Sequence, residues 1–127
     1  LWVQCNDFPC PVSLMVALAH IPFLGFSFTG CLAVLLYAGR EYRFATYRGV
    51  RIADYTPEHI CLRQGRYCLE LFLSPLAAGQ ELRAPVCGVM SGRIRESRDA
   101  GLRLRLQDGD RTVLDVRSAR ATCEIVL

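Results

Sequence analysis

Lysine is absent from this 127-residue chain, so that all 15 of its basic residues are arginine. Such a bias reflects GC-rich coding and points to a bacterial source. The net charge of +3 is small, and the arginines are interleaved with acids and apolar residues instead of forming one basic run. Nucleic acid is therefore not an expected partner. Between Asp7 and Arg40 there is no formal charge at all, which at first sight suggests a membrane span. An unbroken apolar run is missing, however, because Pro9, Pro11, Pro22, Gly25 and Gly30 cut the stretch. Its longest uncut pieces, Val12 to Ile21 and Cys31 to Ala38, fall far short of the ~20 apolar residues of a spanning helix and have the length of buried strands. Spacing suited to metal is lacking too. Cys5 with Cys10, and Cys61 with Cys68, are not tightly paired, and neither His20 nor His59 completes a ligand set, so a metal is not expected. The seven cysteines are odd in number and several fall at apolar strand-like positions, which reads as reduced thiols in a cytoplasmic setting and not as a disulfide framework.

What the chain does contain is strand and turn signals at short intervals. A hydrophobic content of 52% suffices for one core, and the length suits a single all-β domain over residues 1–127. Strands are expected near Leu1 to Cys5, Ser13 to His20, Cys31 to Tyr37, Glu41 to Tyr47, Val50 to Ala53, His59 to Arg63, Tyr67 to Leu73, Val86 to Ser97, Leu102 to Gln107, Val113 to Arg117 and Ala121 to Val126. Ala38-Gly39, Arg48-Gly49, Gln64-Gly65 and Asp108-Gly109 mark turns between them. Leu102, Leu104 and Leu106 alternate with Arg103, Arg105 and Gln107, so that strand has one dry and one wet face. Cys31 to Tyr37 is apolar on both faces and predicts a strand covered on both sides. The pattern as a whole is that of an antiparallel barrel or sandwich of lipocalin or calycin type.

The stretch Leu82 to Ser97 stands out, because strand alternation sets Glu96 on the same face as Met90, Gly92 and Ile94. Together with Trp2-Val3-Gln4-Cys5-Asn6-Asp7-Phe8, Tyr42-Arg43-Phe44-Ala45-Thr46-Tyr47-Arg48-Gly49 and the strand Ala121 to Val126, it resembles the tocopherol cyclase family and its bacterial relatives. The resemblance implies that the chain is the C-terminal half of a two-barrel protein, with the N-terminal half as its covering partner. It also implies an activity in vitamin E biosynthesis, an isomerase-type closure of a prenylated hydroquinone to a chromanol. That chemistry requires no cofactor, but an acid to protonate a trisubstituted alkene, an apolar tunnel for the isoprenoid tail, and aromatic or anionic groups near a transient tertiary cation.

Candidates exist for each role, each with a plainer alternative. Glu96 is the first candidate acid and Glu124 the second; the alternatives are an ion pair of Glu96 with Arg98 or Arg93, and a solvent-facing Glu124. Asp99 reads as part of a turn before Gly101. Trp2, Tyr42, Phe44 and Tyr47 would line a head-group pocket or simply fill the core. Gln4 and Asn6 share the face of Trp2 and would bind a quinol hydroxyl or satisfy backbone groups, while Met90 and Ile94 supply apolar walls. Gly25 and Gly30 frame the Phe26 to Phe28 aromatics as a loop at a barrel mouth, placed to touch a membrane, admit a lipid tail or meet the other half. A hydrophobic small molecule is thus the expected ligand, with a peripheral membrane contact beside it. The competing function is a calycin-type carrier that binds an isoprenoid or lipid without transforming it.

Overall fold

A computed structural model of the chain describes residues 1–74, 80–86 and 89–126, with side chains for residues 1–22, 24–74 and 100–124. The fold is antiparallel β throughout, with strands β1 (Trp2–Cys5), β2 (Val12–Phe23), β3 (Phe26–Tyr37), β4 (Arg40–Ala45), β5 (Arg51–Tyr55), β6 (His59–Gln64), β7 (Tyr67–Leu73), β8 (Gln80–Val86), β9 (Val89–Asp108) and β10 (Arg111–Val126). They form one sheet in the order β4-β3-β2-β1-β10-β9-β7-β6-β5, and β8 pairs with β9. The all-β expectation holds, since the one helical turn among the described residues is a 3-10 turn, Thr46–Arg48. No helix among them is long and apolar enough to cross a membrane.

Alternation decides what is inside. Leu102, Leu104 and Leu106 of β9 are buried against Leu69, Leu71 and Leu73 of β7, while Arg103, Arg105 and Gln107 lie on the other face. Leu14 and Val16 of β2, Leu35 and Ala33 of β3 and Phe44 of β4 continue the same inner face across the sheet. Each fully buried leucine contributes roughly 1.5–3 kcal/mol relative to exposure. A one-layer sheet can hide such a face only by curling over it.

The curl brings β4 to β6, and there a single side chain makes the join. The Ala45 N–H donates to Gln64 Oε1 at 3.1 Å, and Gln64 Nε2 donates to the Arg43 carbonyl at 2.8 Å. The amide of Gln64 thus engages β4 as a neighbouring strand would, through one donor and one acceptor. Beside it the rings of Tyr42 and Tyr67 meet edge to face at 5.6 Å, and Arg40 donates to the Tyr67 hydroxyl at 2.9 Å. The fold is therefore barrel-like, with a seam made of side chains.

Several sequence expectations change in detail. Gly25 and Gly30 do not frame a loop: Phe26 to Gly30 belong to β3, β2 and β3 stay in register to Phe23 and Phe26, and Leu24 (φ 47°) with Gly25 (φ 82°) makes the reversal. Ala38 (φ 52°) and Gly39 (φ 73°) repeat this two-residue left-handed turn, which matches the right-handed twist of a hairpin. Tyr47 leaves the strand for the 3-10 turn. The segments around Val86–Ser97 and Leu102–Gln107 join into the single strand β9, so Asp99 lies in a strand and not in a turn. Shifts in register along β10, between Ser118 and Cys123, let the long β9–β10 pair bend without breaking. On β3 only Cys31, Ala33 and Leu35 are buried, whereas Leu36 is 47% exposed. The expected double-sided burial is thus single-sided, because no described element packs on the outer face.

Two outcomes follow for stability. Replacing Gln64 by Met leaves the Ala45 N–H and the Arg43 carbonyl without their partner, and should lower unfolding free energy by about 2 kcal/mol, seen as a lower denaturant midpoint. Ala38→Asn should raise stability by about 0.5–1 kcal/mol, because asparagine tolerates the left-handed conformation that alanine resists. An unchanged or lower melting temperature for Ala38→Asn would contradict this account of the turn.

Candidate functional site

The proposed ligand-binding residues divide between the two faces of the sheet. Trp2 pairs with Ala17 of β2 on one side and with Glu124 of β10 on the other, and Gln4 pairs with Met15 and Thr122. Directly paired residues share a face in an antiparallel sheet, so Trp2, Gln4 and Glu124 stand together on the outer face. Trp2 and Glu124 are half-buried and Gln4 is exposed. Tyr42 pairs with Leu35 and Phe44 with Ala33, which puts both on the inner face. Phe44 is 1% exposed and belongs to the core, and Tyr42 closes the interior next to Tyr67.

Of the remaining candidates, Asn6 and Tyr47 lie apart from these. Asn6 follows the end of β1 and borders a surface groove of about 570 Å³ with Val12, Leu36 and Tyr37. Tyr47 is 71% exposed, and its hydroxyl accepts a hydrogen bond from Arg43 Nη1 at 3.1 Å. The side chains of Met90, Ile94 and Glu96 lie outside the described residues. Their backbone belongs to β9, where Glu96 is the partner of Glu124 and Ile94 that of Val126. One row therefore runs Glu96, Glu124, Trp2, Ala17, Leu32, Ala45 across five neighbouring pairings of the sheet. Toward the opposite end the outer face continues through Met15 and Val34 to Leu36. It forms an apolar stripe bounded by Arg43 on the β4 side and by Gln4 on the β1 side.

The outer face of β5, β6 and β7 holds a second cluster that sequence spacing did not reveal. His59 Nδ1 lies 2.5 Å from Asp54 Oδ2 and its Nε2 lies 2.9 Å from Glu70 Oε2. With a carboxylate at each ring nitrogen, the ring is held as the imidazolium, and these bonds, Asp54's foremost, raise its pKa. The same ring stacks on Phe72 at 4.8 Å, and Arg103 covers Phe72 at 5.6 Å. Arg103 is itself gripped by both oxygens of Asp115, at 3.0 and 2.8 Å. That bond keeps Asp115 below the usual carboxylate range. Nearby, the thiols of Cys61 and Cys68 touch at 3.6 Å, and burial, followed by this contact, pushes Cys68 up to about 11. The two carboxylates lie on opposite edges of the imidazole, so they pair with its protons and do not converge on one point. Among the described residues no set of three His, Cys, Asp or Glu side chains is arranged to hold a metal ion.

Compared with known proteins, the chain matches no family model, no curated protein and no solved structure. The functional reading therefore rests on the residues themselves.

The charge network has a definite pH signature. A group whose pKa rises on folding adds stability that is complete below its unfolded value, about 6.5 for histidine, and is lost as pH climbs through the folded value. The His59 ring should accordingly titrate above 6.5 when followed by NMR. Asp54→Asn and Glu70→Gln should each bring the midpoint down, Asp54→Asn by more. A midpoint at or below 6.5 in the unaltered protein would refute the bridged imidazolium.

Proposed function

We propose that the chain binds a hydrophobic, isoprenoid-like ligand along the outer apolar stripe, acting as a binding module and not through an internal cavity. The observation that carries this reading is the half-buried Trp2, set in register between a glutamate of β10 and the apolar strand β2, at one end of a stripe reaching Leu36. The described inner face leaves the ligand to the outside, since leucine, valine and phenylalanine side chains already pack it. Burying an isoprenoid tail gains about 0.8 kcal/mol per methylene, against ~1 kcal/mol net for each hydrogen bond to its head. The stripe would thus supply most of the affinity, while Gln4, Thr122 and Glu124 orient the polar end.

A second reading, ring closure of a prenylated hydroquinone as in the tocopherol cyclases, draws on the pairing of Glu96 with Glu124 beside Trp2. In that reaction a protonated carboxyl gives its proton to the alkene, forming a tertiary cation. The phenol oxygen then bonds to the cation, and its proton returns to the carboxylate. Atoms and charge balance without a redox partner. The cation would lie near the indole face of Trp2 and the Glu124 carboxylate, both of which favour positive charge.

One set of measurements separates the two. Titration with a phytylated hydroquinone should shift the emission of Trp2, the single tryptophan. Val34→Glu, on the stripe, should weaken binding at least tenfold. Unchanged emission together with no heat of binding would end the binding reading. If a chroman product accumulates, Glu124→Gln or Glu96→Gln should abolish it while leaving affinity within about twofold; a carrier gives no product at all.

A further inference from the structure

The β2–β3 hairpin runs past its neighbours. β1 pairs with β2 only as far as Ala17, and β4 pairs with β3 only as far as Leu32, yet β2 and β3 remain paired to Phe23 and Phe26. The projecting part, from the Ala19 and Gly30 pair to the turn, is five pairs long, or about 17 Å at the usual strand rise. At its end Leu24 is 83% and Phe26 79% exposed, with Phe28 at 43% and Ile21 at 39%. These account for four of the seven large apolar side chains found exposed among the described residues.

Ile21 and Phe28 are direct partners, and two-residue alternation sets Phe26 on the same face as Phe28. His20, Ser27 and Thr29 fall on the opposite face. The projecting hairpin is thus amphipathic, and its apolar face continues the outer face that carries Trp2. Its residues carry no formal charge, as none occurs between Asp7 and Arg40, so entering an apolar medium desolvates no ion. At the base stand Trp2, paired with Ala17, and the exposed Tyr47 and Arg48 of the 3-10 turn, whose Thr46 hydroxyl accepts from the Cys31 N–H at 2.8 Å. Tryptophan and tyrosine at the root of an apolar projection, with an arginine beside them, match the sequence of environments from acyl chain to head group.

We propose that this hairpin is a membrane-docking finger, whose tip at Leu24 and Phe26 enters the outer part of a phospholipid bilayer while Trp2, Tyr47 and Arg48 stay at head-group level. A bilayer fits the tip better than a protein groove does. The exposed apolar side chains are gathered on a projection two strands wide, too narrow for the ~800 Å² per partner of a stable protein interface. Leu18 still exchanges backbone hydrogen bonds with Leu1, and Cys31 bonds the Thr46 hydroxyl. Penetration is shallow, because beyond Leu18 and Cys31 the outward backbone groups of both strands have no strand partner and must keep contact with water or head groups. The proposal is independent of any ligand on the stripe.

The test is co-sedimentation of the 127-residue chain with phosphatidylcholine vesicles and with equimolar phosphatidylcholine–phosphatidylglycerol vesicles. Binding to both is expected, stronger on the anionic vesicles, and surviving high salt on the neutral ones. Leu24→Ser combined with Phe26→Ser, both at highly exposed sites that the core does not use, should lower partitioning at least tenfold. Tyr55→Ser, exposed on β5 away from the finger, should leave it unchanged. Lipids brominated near the head group should quench Trp2. The proposal is overturned if the unaltered chain does not sediment with either vesicle, if the double variant binds as well as the parent, or if the tip variants dissolve a self-associated form that never binds lipid.

Discussion

A single sheet with a leucine-rich face can remove that face from water only by closing upon itself, and everything else in this molecule follows from how it does so. No described layer lies over the sheet, so curvature has to do the work of a second layer. Register shifts along β10 supply part of the bend. At the seam β4 meets β6 through the Gln64 amide, which satisfies the Arg43 carbonyl and the Ala45 N–H together. A backbone ladder would have needed several residues in common register; one glutamine side chain needs only its own two polar atoms.

Closure of this kind has a consequence for chemistry. The described inner face is occupied by its own side chains, so among the described residues the groups able to meet a ligand are those that alternation turns outward. Phe44 and Tyr42 fall inside and serve packing, whereas Trp2, Gln4 and Glu124 fall outside and remain available. The outer face is itself divided. Over β1 to β3 it is apolar and nearly without charge, while over β5, β6, β7, β9 and the adjoining part of β10 it is a network in which His59, Asp54, Glu70, Arg103 and Asp115 neutralise one another. The first half is suited to an oily partner and the second to water.

Much of the fold was legible in the residues. The alternation of Leu102, Leu104 and Leu106 with arginine identified both a strand and its buried side, and glycines at 39, 65 and 109 marked reversals that the chain does make with positive φ. The candidate site was less legible. His59 looked isolated because its partners, Asp54 and Glu70, lie on two other strands and meet it only through the pairing of β5, β6 and β7. Gln64 looked like an ordinary residue before a turn, since the backbone groups it joins are some twenty positions earlier in the chain. Gly25 and Gly30 suggested a loop around Phe26 to Phe28, yet Gly30 is paired with Ala19 inside the hairpin, and Pro22 is tolerated there because β2 has no outer neighbour at that point and its missing N–H breaks no ladder.

By itself the sequence determined the period of the strands, the side of each that would be dry, and the positions where the chain could turn, because these depend on neighbours a few residues apart. Only the tertiary structure decided which strands stand side by side, hence that Trp2 joins Glu124 and parts from Tyr42, and that an uncharged stretch becomes a projecting hairpin. The physical reason is that register is a relation between distant segments. A shift of one residue exchanges the two faces of a strand, and only closure of the whole sheet selects one register from the rest.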